Sequence, residues 1–202
     1  MIYFVRRSFE ADKNKLNHKK QLKNAVDGIL KNAFAKMGID YSRQQLCFNS
    51  YGKPYLDNRP DIFFNISHCE GLAVCTIAGS ETGIDAENIR EWRPRVAQRV
   101  FTQKELNALE NSDNKDEFFF RIWTLKESFV KALGIGISYP MKTCEFLFED
   151  DRIYANGCDG YSFMQVVLND EFICSLCIND SDKCSNRLHR ISKEDEFFTI
   201  DL

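Results

Sequence analysis

The sequence predicts an α+β protein made of two similar-sized halves. In each half, a helical spacing of apolar residues comes before a series of strand patterns. The strand–turn–strand pattern FFNISHCEGLAVCTIA of the first half has a counterpart, FMQVVLNDEFICSLCI, in the second. A chain of 202 residues that is 44% hydrophobic can bury a core as one domain or as two small halves. The halves meet near residues 79–83, which divides the chain into segments 1–80 and 81–202.

The N-terminal half is predicted to contain one long helix followed by strands. Apolar residues recur at helical spacing from about residue 13 to residue 37, and Gly38 is expected to end this helix. QLCFN then predicts a strand, YGKPYL a turn that enters an extended segment, and DNRP a loop. The last two strands of this half, DIFFNIS and LAVCTIAG, are joined by the short turn HCEG.

The C-terminal half is predicted to begin with the strand GIDAENI, at residues 83–89. Helical patterns follow at roughly 93–111 and 114–133, and Gly134 and Gly136 are expected to end the second helix. The remainder is rich in strands, predicted at TCEFLFE, RIYAN, YSFMQVVL and EFICSLCI.

Charge is unevenly distributed along the chain, although its net value is only −3. Residues 6–36 carry a local balance of +6 and residues 88–104 one of +4, so the rest carries −13. Such asymmetry indicates an anionic ligand or partner, while solvated helix faces explain each basic segment taken alone equally well. The acidic balance of the whole chain argues against nucleic acid as the partner.

The sequence favours a cytoplasmic protein without membrane attachment, because it shows neither a long apolar run nor a secretory signal. Its eight cysteines are therefore expected to be reduced, most of them in the core. Cys174 and Cys177 form one CxxC motif, but a structural zinc site needs four ligands and is not favoured.

Two carboxylates in GIDAE are predicted to share one face of a strand. Side chains two residues apart in a strand point to the same side, so Asp85 and Glu87 project together. Two such charges repel unless a cation lies between them, and a hard divalent ion is the usual solution. A strand surface that faces solvent is the simpler interpretation of this motif on its own.

The helix WTLKESFVKALG carries a third carboxylate and two lysines. Glu127 and Lys131 lie one turn apart on its polar side, where a solvated ion pair is the simplest interpretation. Together with Asp85 and Glu87, however, Glu127 would complete an oxygen-rich site for Mg²⁺, beside which Lys131 would bind a phosphate. Lys126 falls inside the apolar arc, where its ammonium must find a partner, reach solvent or lose its charge.

Three further polar residues belong to short turn motifs. His68 and Ser67 lie in NISHCEG, where a strand is expected to end, and Lys53 lies in the turn GKP. A histidine at a turn is more often a surface residue than a catalyst, so none of the three is specific by itself.

Taken together, the motifs resemble those of the surfactin-synthetase-activating (Sfp-like) type of 4'-phosphopantetheinyl transferase. YGKPYL, FNISHCEG, GIDAE, FTQKEL and WTLKESFVKALG occur in the order and approximate spacing of that family. The last motif is shared with the shorter holo-acyl-carrier-protein synthases, which assemble as trimers. The length of this chain resembles instead the larger type, which is a monomeric pseudo-dimer with its active site between the halves.

The resemblance implies an Mg²⁺-dependent enzyme that transfers 4'-phosphopantetheine from coenzyme A to a serine of an apo acyl, peptidyl or aryl carrier protein. Adenosine 3',5'-bisphosphate would be released, in lysine, fatty-acid, polyketide or nonribosomal peptide biosynthesis. By family position, Asp85, Glu87 and Glu127 would be the metal ligands, and Glu127 the general base for the carrier serine. The carrier would dock near residues 88–104.

The resemblance also implies residues that bind coenzyme A. Lys131 would hold the pyrophosphate, Lys53, Ser67 and His68 would hold the nucleotide end, and Lys23 is a further candidate for a phosphate. Lys126 would have a supporting role. The chain departs from the family at Ile135, where a basic residue often stands. Two alternatives remain open: an Mg²⁺-dependent nucleotide phosphohydrolase, and a non-catalytic module that binds coenzyme A or a carrier.

Overall fold

Helices and strands both contribute to the fold, as the predicted α+β class requires. The computed structural model describes residues 2–6, 15–179, 185–191 and 197–200. The helices are α1 (Lys15–Lys36), α2 (Pro94–Val100), α3 (Gln103–Glu110) and α4 (Lys115–Leu133). Within these ranges, none of the helices is both long enough and apolar enough to cross a membrane.

The described strands form two four-stranded sheets and two hairpins. The first sheet has the order β12 (Phe197–Ile200), β1 (Ile2–Arg6), β5 (Leu72–Ala78) and β4 (Phe63–Cys69). The second has the order β11 (Leu188–Ile191), β9 (Tyr161–Leu168), β10 (Phe172–Asn179) and β6 (Thr82–Asn88). The hairpins pair β2 (Leu46–Phe48) with β3 (Pro54–Leu56) and β7 (Glu145–Glu149) with β8 (Arg152–Asn156). All strand pairs are antiparallel except β9 with β11.

The element order of the first half is repeated in the second. A strand, helical structure, a hairpin and two more strands follow one another as β1, α1, β2–β3, β4, β5 and as β6, α2 to α4, β7–β8, β9, β10. Within its sheet, the first strand of each repeat pairs with the last, and the last pairs with the fourth. The described chain is therefore built from two units of the same topology.

Several helix boundaries agree with the sequence prediction. Gly38 lies just beyond α1 and Gly134 just beyond α4, both with the left-handed backbone that glycine adopts easily (φ of 73° and 68°). The single helix predicted over residues 93–111 was wrong, because the chain is extended at Phe101 and Thr102 between α2 and α3. Thr102 starts α3 with a capping box that includes Glu105. The predicted start of the first helix, near residue 13, lies outside the described residues.

One hydrophobic cluster joins the two sheets across the centre of the molecule. Residues of the first sheet, such as Phe4 and Val74, pack there with Ile84, Val166 and Leu176 of the second. Two further clusters lie between each sheet and its own helices, one under α1 and one under α2 to α4. The seven cysteines in the described ranges are free, and five of them are buried.

The two sheets also meet edge to edge, at β4 and β6. Side chains of β4 take the place of ladder hydrogen bonds along this edge. The Ile84 N–H donates to Asn65 Oδ1 (2.9 Å), and the Ala86 N–H donates to Ser67 Oγ (3.2 Å). Both partners are buried, so this junction fixes the position of β6 relative to β4.

Candidate active site

Asp85 lies at the centre of a polar cluster between β4, β6 and α4. Its Oδ1 accepts hydrogen bonds from Ser67 Oγ (2.9 Å) and from Lys131 Nζ (2.7 Å). Lys131 Nζ also donates to Ser67 Oγ (2.9 Å), which closes a triangle of three side chains from three elements. Asp85 Oδ2 is buried and has no hydrogen-bond partner among the described residues. A buried acceptor of this kind is costly unless a donor or a cation reaches it.

Glu127 lies close enough to both carboxylates of β6 to respond to their charges. Burial raises the pKa of Glu127 to about 7, and the negative charges of Asp85 and Glu87 add to this rise, while the Lys131 ammonium opposes it. The structure thus brings Glu127 to the same place as Asp85 and Glu87, although 40 residues separate it from Glu87. Such crowding of negative charge favours a cation beside Glu127, and a bound cation would in turn lower the pKa of Glu127.

The donor set fits a hard divalent cation such as Mg²⁺. Three carboxylates supply only oxygen ligands, one of their oxygens is buried without a partner, and their mutual repulsion is relieved by positive charge. In the described part of the chain, however, no group of three His, Cys, Asp or Glu side chains is close enough together to coordinate a metal ion. Two of the carboxylates are paired with basic side chains instead. Lys131 forms an ion pair with Asp85, and Arg90 Nη1 donates to Glu87 Oε2 (2.9 Å).

Ser67 and His68 are placed differently. The prediction that the strand ends before His68 was wrong, because β4 runs on to Cys69 and includes both residues. Ser67 is buried in the cluster with Asp85, whereas His68 is exposed at the next position along the strand. Successive side chains of a strand point to opposite faces, which separates the two.

Lys53 connects the hairpin of the first half to the second half. Its Nζ donates to the carbonyl oxygens of Ala132 (2.7 Å), at the end of α4, and Thr82 (3.0 Å), at the start of β6. Burial lowers the pKa of Lys53 to about 8. Asn49 supports the same contact, since its Nδ2 donates to the Gly134 carbonyl (2.9 Å). Lys23 is exposed on α1, which packs on β1 and β5.

Two cavities meet at Glu127. The first, of about 460 Å³, lies between the hairpin of the first half and α4, and its lining includes Phe48, Tyr51, Lys53 and Lys131 together with Glu127. The second, of about 630 Å³, shares only Glu127 of the described residues with the first. Its lining also includes Arg95, Arg99, Trp123, Tyr139, Pro140 and Met141. Glu127 therefore belongs to the lining of both cavities.

Lys126, the lysine inside the apolar arc, has a partner that sequence reasoning missed. Lys126 Nζ lies 2.9 Å from Glu105 Oε2, and both side chains are fully buried. Arg90, on Glu87, was also missed. The capping box formed by Thr102 and Glu105 is a signal for the start of α3, but it does not indicate that the Glu105 carboxylate faces inward.

Comparisons with known proteins agree on one family. The profile described as "ACPS: 4'-phosphopantetheinyl transferase superfamily" matches residues 81–177. A Bacillus subtilis protein named 4'-phosphopantetheinyl transferase is 30% identical over 165 residues, which is 78% of this chain and 74% of that protein.

Two further relatives match over shorter stretches. The protein named gsp of Aneurinibacillus migulanus is 39% identical over 97 residues, or 47% of this chain and 40% of its own. Sfp of Bacillus subtilis strain 168 is 31% identical over 127 residues, or 61% of this chain and 57% of its own. Both are named 4'-phosphopantetheinyl transferases.

Proposed function

Because the chain belongs to the 4'-phosphopantetheinyl transferase superfamily, we infer that it is an enzyme that transfers phosphopantetheine to carrier proteins, and we propose that the transfer takes place at Glu127. The position of Glu127 is the main support for this assignment of the site. It lies between two cavities and beside the carboxylates of Asp85 and Glu87.

Coenzyme A is proposed to bind in the cavity between the hairpin of the first half and α4. Phe48 and Tyr51 offer aromatic surface for a base, and Lys131 offers a positive charge for the pyrophosphate. Ser67 lies next to Lys131 and accepts a hydrogen bond from its ammonium. Lys53, His68 and Lys23 remain predicted contacts of the nucleotide and its phosphates. In the present structure the Lys53 ammonium donates to backbone carbonyls, and Lys53 is also part of the cavity lining.

The carrier serine would enter from the second cavity. Its hydroxyl oxygen forms a bond to the phosphorus that carries pantetheine, the bond from that phosphorus to the adenosine bisphosphate breaks, and Glu127 takes the serine proton, directly or through water. Lys131 neutralises charge that develops on the departing phosphate. Asp85, Glu87 and Glu127 would hold Mg²⁺, which when bound neutralises charge on the pyrophosphate. The released product would be adenosine 3',5'-bisphosphate.

Residues 88–104 offer a docking surface for an acidic carrier. Arg93, Arg95 and Arg99 are exposed on and just before α2, and two of them line the second cavity. Positive charge at the entrance of the site steers an acidic partner toward it. An acyl, peptidyl or aryl carrier of lysine, fatty-acid, polyketide or nonribosomal peptide biosynthesis would have this chemistry.

The repeated topology supports a pseudo-dimer, with residues 1–80 and 81–202 as its halves and the active site between them. The polar cluster takes Ser67 from the first half and Asp85 and Lys131 from the second, so one chain supplies both sides. We therefore propose a monomer. A cytoplasmic location, without nucleic acid or membrane as partner, is proposed from the charge, the cysteines and the need for coenzyme A.

The test is to incubate the purified protein with Mg²⁺, coenzyme A and a panel of apo carriers, and to measure the carrier mass. We expect one phosphopantetheine per carrier, and coenzyme A consumed only when a carrier is present. Steady cleavage of coenzyme A without a carrier would support a phosphohydrolase instead. A folded protein that binds coenzyme A and modifies none of the carriers would support a binding module.

A further inference from the structure

The buried ion pair between Lys126 and Glu105 is the part of the molecule that the proposed chemistry leaves unexplained. Lys126 Nζ donates to the carbonyl oxygens of Cys144 (2.6 Å) and Met141 (2.8 Å) in addition to its contact with Glu105. Its three N–H groups are thus matched by three acceptors. Every ligand of this ammonium is protein, so Lys126 has no donor left for a substrate.

Glu105 is equally saturated. Its Oε1 accepts from the Phe146 N–H (2.8 Å), and its Oε2 accepts from the Thr102 N–H (2.7 Å) as well as from Lys126. The pair therefore connects three separate parts of the chain: the start of α3, the middle of α4, and residues 141–146. Both side chains are completely buried.

Buried ion pairs are poor sources of stability, because desolvation offsets their attraction. Here the two side chains also satisfy four backbone groups, the N–H groups of Thr102 and Phe146 and the carbonyl oxygens of Met141 and Cys144. The best documented use of buried ion pairs is to fix one geometry among several. The geometry that this pair fixes includes the proposed site of transfer.

The pair fixes the direction of Glu127 and the position of residues 139–141, which line the second cavity with it. Consecutive residues of a helix differ by about 100° in direction, so anchoring Lys126 inward sets the direction of Glu127 toward the cleft. The Met141 carbonyl held by Lys126 belongs to the segment that lines the second cavity beside Glu127, together with Tyr139 and Pro140. One ammonium thus holds both the helix that presents the base and a second segment that lines the same cavity.

We propose that Glu105 and Lys126 are positioning residues for the transfer reaction, which orient Glu127 and hold residues 139–141 at the entrance for the carrier serine. This inference rests on the proposed transferase function. Lys131 does not depend on the pair, because Ser67 and Asp85 hold it directly. Loss of the pair should therefore lower kcat and raise KM for the carrier more than KM for coenzyme A, whose cavity Glu127 also lines.

The test compares Lys126→Met, which leaves Glu105 unpaired, with the double variant Lys126→Met/Glu105→Gln, which removes both charges. The matched control is Lys115→Met, on the same helix, whose lysine pairs with Glu110 at the surface. We expect the single variant to lose thermal stability. The double variant should recover much of its melting temperature, yet keep a kcat at least tenfold below that of the parent and a KM for the carrier raised severalfold. The control should match the parent.

The milder variant Glu105→Asp keeps the charge and withdraws it by one methylene. It provides the same kcat and KM readout if the double variant does not fold. A purely structural pair would change only the folded fraction, leaving both KM values and the kcat per folded molecule at the parent's level in the double variant or in Glu105→Asp, and that result would overturn the inference. If the parent itself modifies no carrier, the proposed function fails, and the positioning role fails with it.

Discussion

Glu127 owes its chemical character to residues that are distant in sequence. Its own helix supplies Lys131, whose charge lowers the pKa of Glu127, but burial and the carboxylates of Asp85 and Glu87 outweigh that effect and raise the pKa to about 7. Glu127 therefore differs from a surface glutamate in an i,i+4 ion pair, which would stay ionised at neutral pH.

We expect Glu127→Gln to lower turnover by about 10²- to 10⁴-fold, the range that a positioned general base contributes, without loss of the fold. The amide keeps the size of the side chain but accepts no proton. Turnover is measured as carrier modified per minute, and folding by circular dichroism. Glu149→Gln, at an exposed glutamate of β7, is the control. Parental turnover in Glu127→Gln would refute the role of Glu127.

Lys53 gives the stability of the protein a defined pH dependence. Burial lowers the pKa of Lys53 from 10.5 to about 8, so between these values the unfolded chain binds this proton more tightly than the folded one. Below pH 8 the protonated lysine penalises the folded state fully, and the penalty is relieved as pH rises toward 10.5.

Relative to Lys53→Met, the parent should therefore gain free energy of unfolding from pH 7 to pH 10, by about 1 to 3 kcal/mol, since one pKa unit corresponds to about 1.4 kcal/mol. Urea denaturation at several pH values measures this difference. Lys31→Met, at an exposed lysine of α1, should show no such trend relative to the parent. A difference between parent and Lys53→Met that is constant with pH would show that Lys53 keeps its ordinary pKa.

For single residues, the sequence predicted the direction of a side chain wherever residue spacing determines it. The two-residue spacing of Asp85 and Glu87, and the helical spacing of Glu127 and Lys131, predicted which side chains share a face. The unusual position of Lys126 predicted that it needs a partner. Neither Glu105 as that partner nor the bond between Ser67 and Asp85 could be predicted, because both join residues about 20 positions apart through tertiary packing.

At the scale of elements, the approach of β6 to α4 brings the carboxylates together. Gly83 makes this approach possible, because a β-carbon at that position would overlap the Ser128 carbonyl and the Ala132 amide of α4. Asp85 follows two residues later on the same strand. The distance between Asp85 and Glu127 is thus set by a glycine that itself does no chemistry.

Gly83→Ala should therefore destabilise the protein by about 3 kcal/mol or more, as overpacking against backbone does, and should lower activity in the fraction that still folds. Denaturant unfolding measures the first effect and carrier modification the second. Gly28→Ala is the matched control. Gly28 lies within α1 with open space around it, so alanine should be neutral or stabilise by up to about 1 kcal/mol. Parental stability in Gly83→Ala would contradict the close packing.

The elements themselves were predicted well where the pattern is local. Strands β4, β5, β6, β9 and β10 and helices α1 and α4 follow from apolar spacing and from glycine at the helix ends. Strand β1 was missed because its short apolar run shows no alternation with polar residues, and its pairing with β5 and β12 joins residues that are distant in sequence. Strands β11 and β12 are also short and depend on distant partners, which a local pattern does not reveal.

At the scale of the whole molecule, the hydrophobic cluster between the sheets makes the two repeats depend on each other. Leu176 of the second sheet packs in the same cluster as Val74 of the first. We predict that the protein unfolds in one cooperative transition. Leu176→Ala should lower the free energy of unfolding by about 2 to 5 kcal/mol, and the variant should still unfold in a single transition.

Two probes separate the outcomes. The fluorescence of Trp92 and Trp123 reports on the second half, and amide hydrogen exchange along α1 reports on the first. The same free energy of opening from both probes is expected. A lower value for α1 than for the tryptophans would show that the first half unfolds alone.

The proposed reaction requires that two substrates, one from each cavity, react with each other at Glu127. The most direct measurement is the stoichiometry of a reaction that contains Mg²⁺, coenzyme A and an apo carrier. We predict one adenosine 3',5'-bisphosphate released for each carrier serine modified, and neither product with a carrier whose serine is replaced by alanine. Bisphosphate released without modified carrier, or no product from the folded protein with any class of carrier, would show that this transfer does not take place.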